Sequence, residues 1–430
     1  MNLPNTLACD DYKQTLSRRR ILKNATLAGL GGLFAAASQS ALSQTFVRTK
    51  GTNGNVLINV FLRGGCDALN TIVPHADDDY YRARPSLGIP APKSGLPENR
   101  RATDLDGFFG INPAMLPLLG HWKDGSLAFV HAVGSGDESH SHFEAMNTME
   151  RGLNSQNDRL GGGWLSRHLN MTQGSPSPLR AVSLTSTMPD SLLGAIQAVA
   201  IESMSDYRIT TENTALARAV ENLYRDQTTK DELRQAGFDT WQVLKALTRV
   251  DPNDYRPDGN AAYPESPVGK AFRETAFLIK QDLGMEVACI DAGGWDSHVT
   301  QGTTEGWLYE LLKDMADSIA AFTKDMGKEM SRITILVQSE FGRRVGENSG
   351  LGTDHGTGGA MWLLGGGVQG GKVYGRWPRL VPDKLVGPGD LQTTSDYRDV
   401  LSEILESRLG NPDSGQVFPN YRRTKIGVLA

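Results

Sequence analysis

The chain has 430 residues, 39% of them hydrophobic, which is enough to bury the core of one large α/β domain carrying insertions. Its 44 Lys and Arg against 49 Asp and Glu leave a net charge of −5, a mildly acidic, evenly mixed balance that excludes nucleic acid or an anionic membrane as the main partner. Three cysteines are too few for a disulfide scaffold.

The first element in the chain is an export signal. Ser17-Arg18-Arg19-Arg20-Ile21-Leu22-Lys23 places paired arginines ahead of the run Ala25 to Ala37. That run is too short and too rich in Gly and Ala to span a bilayer, which takes about 20 apolar residues. Ala41-Leu42-Ser43 before Gln44 suits cleavage. Residues 1–43 therefore read as a twin-arginine signal peptide and 44–430 as a single domain. The expected partner during export is the twin-arginine translocase, and the expected destination of the folded protein is the periplasm or the exterior. No later run predicts stable membrane insertion. Cys9 leaves with the signal; Cys66 and Cys289 end strand-like runs, which favours burial or one bridge over catalysis.

Val56 to Leu62 is a short apolar run stopped by Gly64-Gly65, the pattern of a buried strand. Leu127 to Val133 reads the same way, and Leu179 to Leu184 is a weaker third. A helical middle is expected from Asn213 to Ala246. Ser266-Pro267 predicts a capped helix start, running to Asp282 with Gly284 at its end. Glu286 to Asp291 predicts a strand, Trp307 to Met326 a long amphipathic helix, Ile333 to Gln338 and Met361 to Leu364 two further strands, and Ser395 to Leu409 a closing capped helix. Pro90 to Asn99 and Thr248 to Ala262 read as surface excursions. Strands alternating with helices predict an α/β fold with a mainly parallel central sheet and helices on both faces.

In open α/β sheets, ligands bind beyond the carboxyl ends of the strands. Four clusters of polar residues follow strand-like runs here: Arg63 to Asp67, His140 to Glu144, Gly293 to His298, and Ser339 to Arg344 continued by Thr353 to Gly358. Four of the eight histidines (His140, His142, His298 and His355) lie in these clusters beside carboxylates, the ligand types that zinc and manganese take. Asp296 and His298 stand one residue apart, and the two preceding glycines let both face one point. Asp354 and His355 form a second adjacent pair. Arg63, Arg343 and Arg344 are suited to holding an anionic group. Plainer roles stand beside these. Asp67 is equally suited to capping a helix beginning near Ala68, Ser141 is more simply an N-cap, and Glu340 with Arg343 suits a structural ion pair. His75, His121, His131 and His168 read as structural.

Arg-Gly-Gly-Cys-Asp-Ala-Leu-Asn at 63–70, Ser-His-Phe at 141–143, Gly-Gly-Trp-Asp-Ser-His at 293–298, Ser-Glu-Phe-Gly-Arg-Arg at 339–344 and Asp-His-Gly-Thr at 354–357 occur in the order expected of one family. From Val56 to Leu409 the chain resembles a family of twin-arginine-exported bacterial proteins catalogued as a domain of unknown function and grouped with the alkaline phosphatase and sulfatase superfamily. The resemblance implies an alkaline-phosphatase-like sheet and a metal-dependent hydrolase of a phosphate or sulfate ester. It implies Asp296, His298 and His355 on one divalent metal (zinc, manganese or calcium), Asp67 on a second, Ser141 as nucleophile, and Arg63 or Arg343 on the ester's free oxygens. Where the superfamily has Asp-His after the strand ending at Gln338, this chain has Glu340-Phe341. Phenylalanine binds no metal, so one ion is expected rather than two, with Glu340 and Asp354 as the remaining acidic candidates. Cys66 lacks the following proline and arginine of a formylglycine precursor. The alternative is an exported, non-catalytic protein that binds a cell-surface ligand with a degenerate metal site.

Overall fold

A computed structural model describes residues 54–153, 160–204 apart from 173 and 176, and 254–430, with scattered helical positions between 219 and 244. The expected export signal and most of the expected helical middle lie outside the described residues. The chain divides into two compact units, Met1–Gln39 with Thr210–Gln242, and Ser40–Ile209 with Val243–Ala430. The sheet and the candidate site belong to the second.

Among the described residues nine strands make the central sheet: β1 (Val56–Arg63), β2 (Leu127–Gly134), β3 (Ala181–Ser183), β4 (Ala198–Ala200), β5 (Val287–Gly293), β6 (Ile333–Ser339), β7 (Gly359–Gly365), β8 (Val373–Tyr374) and β9 (Ser395–Asp396). The order is β8-β2-β7-β6-β1-β5-β3-β4, with β9 also on β2. Only β7 is antiparallel to its neighbours, β2 and β6; the other pairs are parallel. This is the mainly parallel sheet expected from the alternation of strands and helices.

The apolar runs are continuous because both faces of the sheet are covered. On one face, Ile58, Val60, Ala288, Ile290, Ile335 and Val337 pack with Phe272, Leu312, Ile319 and Phe322. On the other, Leu57, Phe61, Cys289, Leu336 and Leu363 pack with Trp164, Leu165, Tyr397 and Leu401. The covering helices are the following. α1 (Ala68–Thr71) and α2 (His142–Arg151) follow β1 and β2, α3 is Trp164–Met171, α4 is Pro267–Lys280, α5 is Trp307–Met326 and α6 is Tyr397–Glu403. Ser266 caps α4 by accepting from Gly269 N at 2.9 Å. That helix stops at Lys280, short of the expected Asp282, whose φ of +52° is left-handed. α6 starts later than Ser395 because Ser395 and Asp396 are paired with β2, which leaves Asp396 as the cap. Cys66 and Cys289 are both free and buried.

Two buried histidines give the fold a pH dependence. His131 on β2 accepts from Ala132 N at 2.8 Å through Nδ1 and reaches Ile72 O at 3.2 Å through Nε2, so it is neutral with Nε2 protonated. Burial pushes its pKa down to about 4. Burial, aided by the charge of Arg180, takes His168 to about 3, where its Nδ1 accepts from the Asn411 amide at 2.9 Å. Unfolded, both titrate near the ordinary histidine value of about 6.5, so below that pH the unfolded chain takes up protons that the folded one refuses. Stability is therefore full above about pH 6.5 and falls as pH drops toward 4, by about 2–3 kcal/mol per histidine at pH 4.5. Urea midpoints at pH 7 and 4.5 are expected to show this drop, and His168→Gln to shrink it; equal drops in both proteins contradict the assignment.

Candidate functional site

Strand register explains why loops far apart in sequence meet. Arg63 pairs with Gly293 and Leu62 with Ser339, so β1, β5 and β6 end level with one another. β7 runs the other way, and its first residue, Gly359, pairs with Val133 near the end of β2. The loop entering β7 and the loop leaving β2 thus join the same edge of the sheet, the edge where α/β sheets bind ligands. The turn after β1 is held tight by glycine. Gly64 and Gly65 have φ of +123° and +80°, and a Cβ on them would lie 2.5 Å from Asp296 N and 2.4 Å from the Phe341 ring.

His142, Asp296 and His355 each present a ligand atom, and those atoms lie within 4.8 Å of one another, an arrangement able to hold a metal ion. Nε2 of His298 and Nε2 of His355 stand 3.0 and 3.1 Å from Asp296 Oδ1 and 2.9 Å from each other. Nε2 of His142 is 3.5 Å from Asp296 Oδ2; it is buried and makes no hydrogen bond.

The other ring nitrogens fix the tautomers. Nδ1 of His355 donates to His140 O at 2.7 Å, Nδ1 of His142 to Glu340 Oε1 at 3.0 Å, and Nδ1 of His298 faces Asp354 Oδ1 at 3.3 Å. Each partner is an oxygen that only accepts, so in a neutral ring the proton sits on Nδ1 and the Nε2 lone pair points inward. Three lone pairs and a carboxylate then face one another, which is stable only with a cation or extra protons among them. Without an ion, burial disfavours charge on His142, but Asp296 and Glu340 outweigh it and push its pKa up to about 9. Burial lowers that of His355. Burial also works against charge on Asp296, yet the three imidazoles and Arg343 hold its carboxyl well below the usual carboxylate range.

The supporting groups are themselves anchored. Glu340, buried, accepts from Gly64 N at 2.7 Å and Ser339 Oγ at 3.0 Å. Asp354 accepts from Asn348 Nδ2 at 2.9 Å and pairs with Arg344 at 3.2 Å. His140, at φ +53°, is held by Asp390 Oδ2, 2.6 Å from its Nε2. Phe341 is no ligand. Its ring packs against His142 and His355, with centroids 5.1 and 4.7 Å away, and steadies both imidazoles.

The structure brings Asp296, His298, Glu340, Asp354 and His355 together, and sets the remaining residues in other surroundings. Asp67 caps α1 and contacts Arg84 and Gln301, each at 2.6 Å. Arg63 grips Glu150 at 2.8 and 3.2 Å and Asp291 at 2.9 Å. Arg343 is buried and donates to Gly65 O at 2.7 Å, Thr353 O at 2.8 Å, Trp295 O at 3.0 Å, Gly64 O and Asp296 Oδ1 at 2.7 Å. Its donors go to the protein, so it orients Asp296 and is not presented to a ligand. Ser141 stands at the N-cap of α2 without a side-chain capping bond, next to His142. Sequence reasoning set His142 among the clustered histidines but left it out of the expected ligand set, whereas its Nε2 faces Asp296. Its signal is its place at the first position of a helix, at the carboxyl end of a central strand.

A family model described as "Protein of unknown function (DUF1501)" matches residues 117–412. No curated protein matches the chain. Among solved structures it is similar to PH0037 protein from Pyrococcus horikoshii, at 11% identity and a TM-score of 0.29, covering 73% of this chain and 86% of that one. It is also similar to the alkaline phosphatase of the Antarctic bacterium TAB5, at 10% identity and a TM-score of 0.27, covering 73% and 92%. A variant of that enzyme with Mg bound in its M3 site is similar at 10% identity and a TM-score of 0.26, covering 72% and 90%. Likenesses at these scores say nothing of the site's chemistry, which stands on its own side chains.

Proposed function

The chain belongs to the family described as "Protein of unknown function (DUF1501)", so its chemistry has to come from its own side chains, and from that premise we propose an exported, metal-dependent hydrolase of a phosphate or sulfate ester. One observation carries the reading: three imidazole Nε2 atoms point at Asp296, each ring held from behind by an oxygen on Nδ1. His142, Asp296, His298 and His355 would hold the ion. A bound divalent metal supplies a Lewis acid that polarises an ester oxygen.

The chain's own groups do the rest. Glu340, Asp354 and the His140 carbonyl keep the Nδ1 protons in place, so all the rings present lone pairs inward. Arg343 keeps Asp296 ionised and oriented. Ser141, the N-cap of a ten-residue helix and the neighbour of His142 in the chain, would be the nucleophile, its oxygen favoured by the helix dipole. The paired arginines at 18–20 support export in the folded state by the twin-arginine translocase to the periplasm or exterior. Among the described residues no helix is long and apolar enough to cross a membrane.

The test is a screen of purified, metal-loaded protein with 4-nitrophenyl phosphate and 4-nitrophenyl sulfate. Ser141→Ala is expected to lower turnover by about a thousandfold or more while metal content holds. A metal-replete protein that turns over neither ester supports the second reading, a non-catalytic binding protein. That reading draws on the commitment of Arg63 and Arg343 to internal partners.

A further inference from the structure

Large apolar side chains are exposed on the chain segments that carry the histidine cluster. Among the described residues eight such side chains are exposed, and four of them lie on the segments that build the site: Phe143 at 51%, Val299 at 48%, Leu351 at 50% and Trp307 at 56%. Scattered exposed hydrophobics need no explanation, but half of them falling on the segments of one site does. Phe143 follows His142 and Val299 follows His298 directly in the chain. Leu351 lies on the loop that pairs with the segment after His298, through Thr300 N to Gly350 O at 2.9 Å and Gln301 N to Leu351 O at 2.8 Å. Trp307 leans on the turn before Asp296, its Nε1 donating to Gly294 O at 2.6 Å.

The polar provision is, by contrast, thin. A site built for a free phosphate presents forked arginines to it. Here Arg63 and Arg343 are committed to the protein, and Arg344 gives Nη1 to Asp354. Small-molecule sites of this kind, apolar walls around a few placed polar groups, bind ligands through their apolar portion.

Resting on the metal-hydrolase reading above, we infer that the substrate is an amphiphilic ester: an anionic group at the His–Asp cluster, joined to an aryl or alkyl alcohol portion that lies on Phe143, Val299, Leu351 and Trp307. These four side chains set specificity and do not touch the reacting atoms.

The test compares phenylphosphonate with methylphosphonate, two non-hydrolysable probes sharing the anionic group, by calorimetric titration of protein whose metal content has first been measured. Phenylphosphonate is expected to bind about tenfold tighter or more, the gain from taking one aromatic ring out of water. In the double variant Phe143→Ser, Val299→Ser the preference is expected to fall severalfold, with metal content and methylphosphonate affinity unchanged. Equal affinities for the two probes on metal-loaded wild type overturn the inference and leave the metal centre standing. A preference undiminished in the variant overturns the assignment to these side chains. Wild type that takes up no metal overturns the hydrolase reading and this inference with it.

Discussion

Asp296→Asn is expected to lose at least about a hundredfold in affinity for zinc or manganese while keeping its fold. Replacing a supporting group around a metal ligand costs about 10–100-fold, and Asp296 is the group on which three imidazoles and a guanidinium converge. The asparagine keeps the shape and removes the charge, so the facing Nε2 atoms lose the one anion among them. Arg343 keeps its four carbonyl acceptors, which is why folding should survive. Glu340→Gln should fall in between, since Glu340 reaches the ion's place only through His142 while its other bonds go to Gly64 N and Ser339 Oγ. Metal analysis and competition with a chelator read both effects. Chelation should also lower wild-type stability, by about 3 kcal/mol when the free ion had stood at a hundred times its Kd, and leave Asp296→Asn unmoved. Equal metal content in wild type and Asp296→Asn removes the basis of the metal centre.

Arg84→Ala is expected to cost about 3–5 kcal/mol of stability, the penalty for leaving one half of a buried ion pair unpartnered. Arg84 and Asp67 are both fully buried, 2.6 Å apart. Arg84 also donates to Asn70 Oδ1 at 2.7 Å, Val345 O at 2.8 Å and Arg344 O at 2.9 Å, tying the turn after β1 to the loop that carries Arg343 and Arg344. The contrast with Asp296 lies in the metal. Asp67→Asn should destabilise yet bind a full equivalent of ion when assayed cold and folded, because the contacts of Asp67 are Arg84, Gln301 and the amides of α1. A folded Asp67→Asn protein with no metal would place Asp67 among the ligands after all.

Much of this arrangement was legible beforehand, for identifiable reasons. Strands buried on both faces announce themselves as apolar runs, and glycines close them, so β1, β2, β5, β6 and β7 could be found from residue order alone. Carboxyl ends of such strands attract ligands, which pointed to Asp296, His298, Glu340, Asp354 and His355. Direction and register were not legible. Nothing in Met361 to Leu364 says that β7 runs against its neighbours, yet that reversal delivers His355 to the site. Asp67 shows the limit from the other side: an acidic residue after a central strand satisfies the same pattern whether it faces an ion or an arginine 17 positions on. His142 stands in the candidate cluster by sequence but outside the expected ligand set, because a place at a helix start does not show that Glu340 stands behind it. Phe341 read as a defect in a ligand pair, whereas its ring is the wall against which two imidazoles lean.

The middle position of β1 has a consequence for biosynthesis. An early segment of the polypeptide waits for its two neighbours, which are translated more than 200 residues later, as the 276-residue separation between Gly64 and Glu340 illustrates. A nascent chain released before β7 would lack one of the two neighbours of β6, and one released before residue 355 would also lack His355, so the four candidate ligands cannot be complete until late in elongation. The sheet is completed only late in synthesis, and non-local topology of this kind makes that final collapse slow.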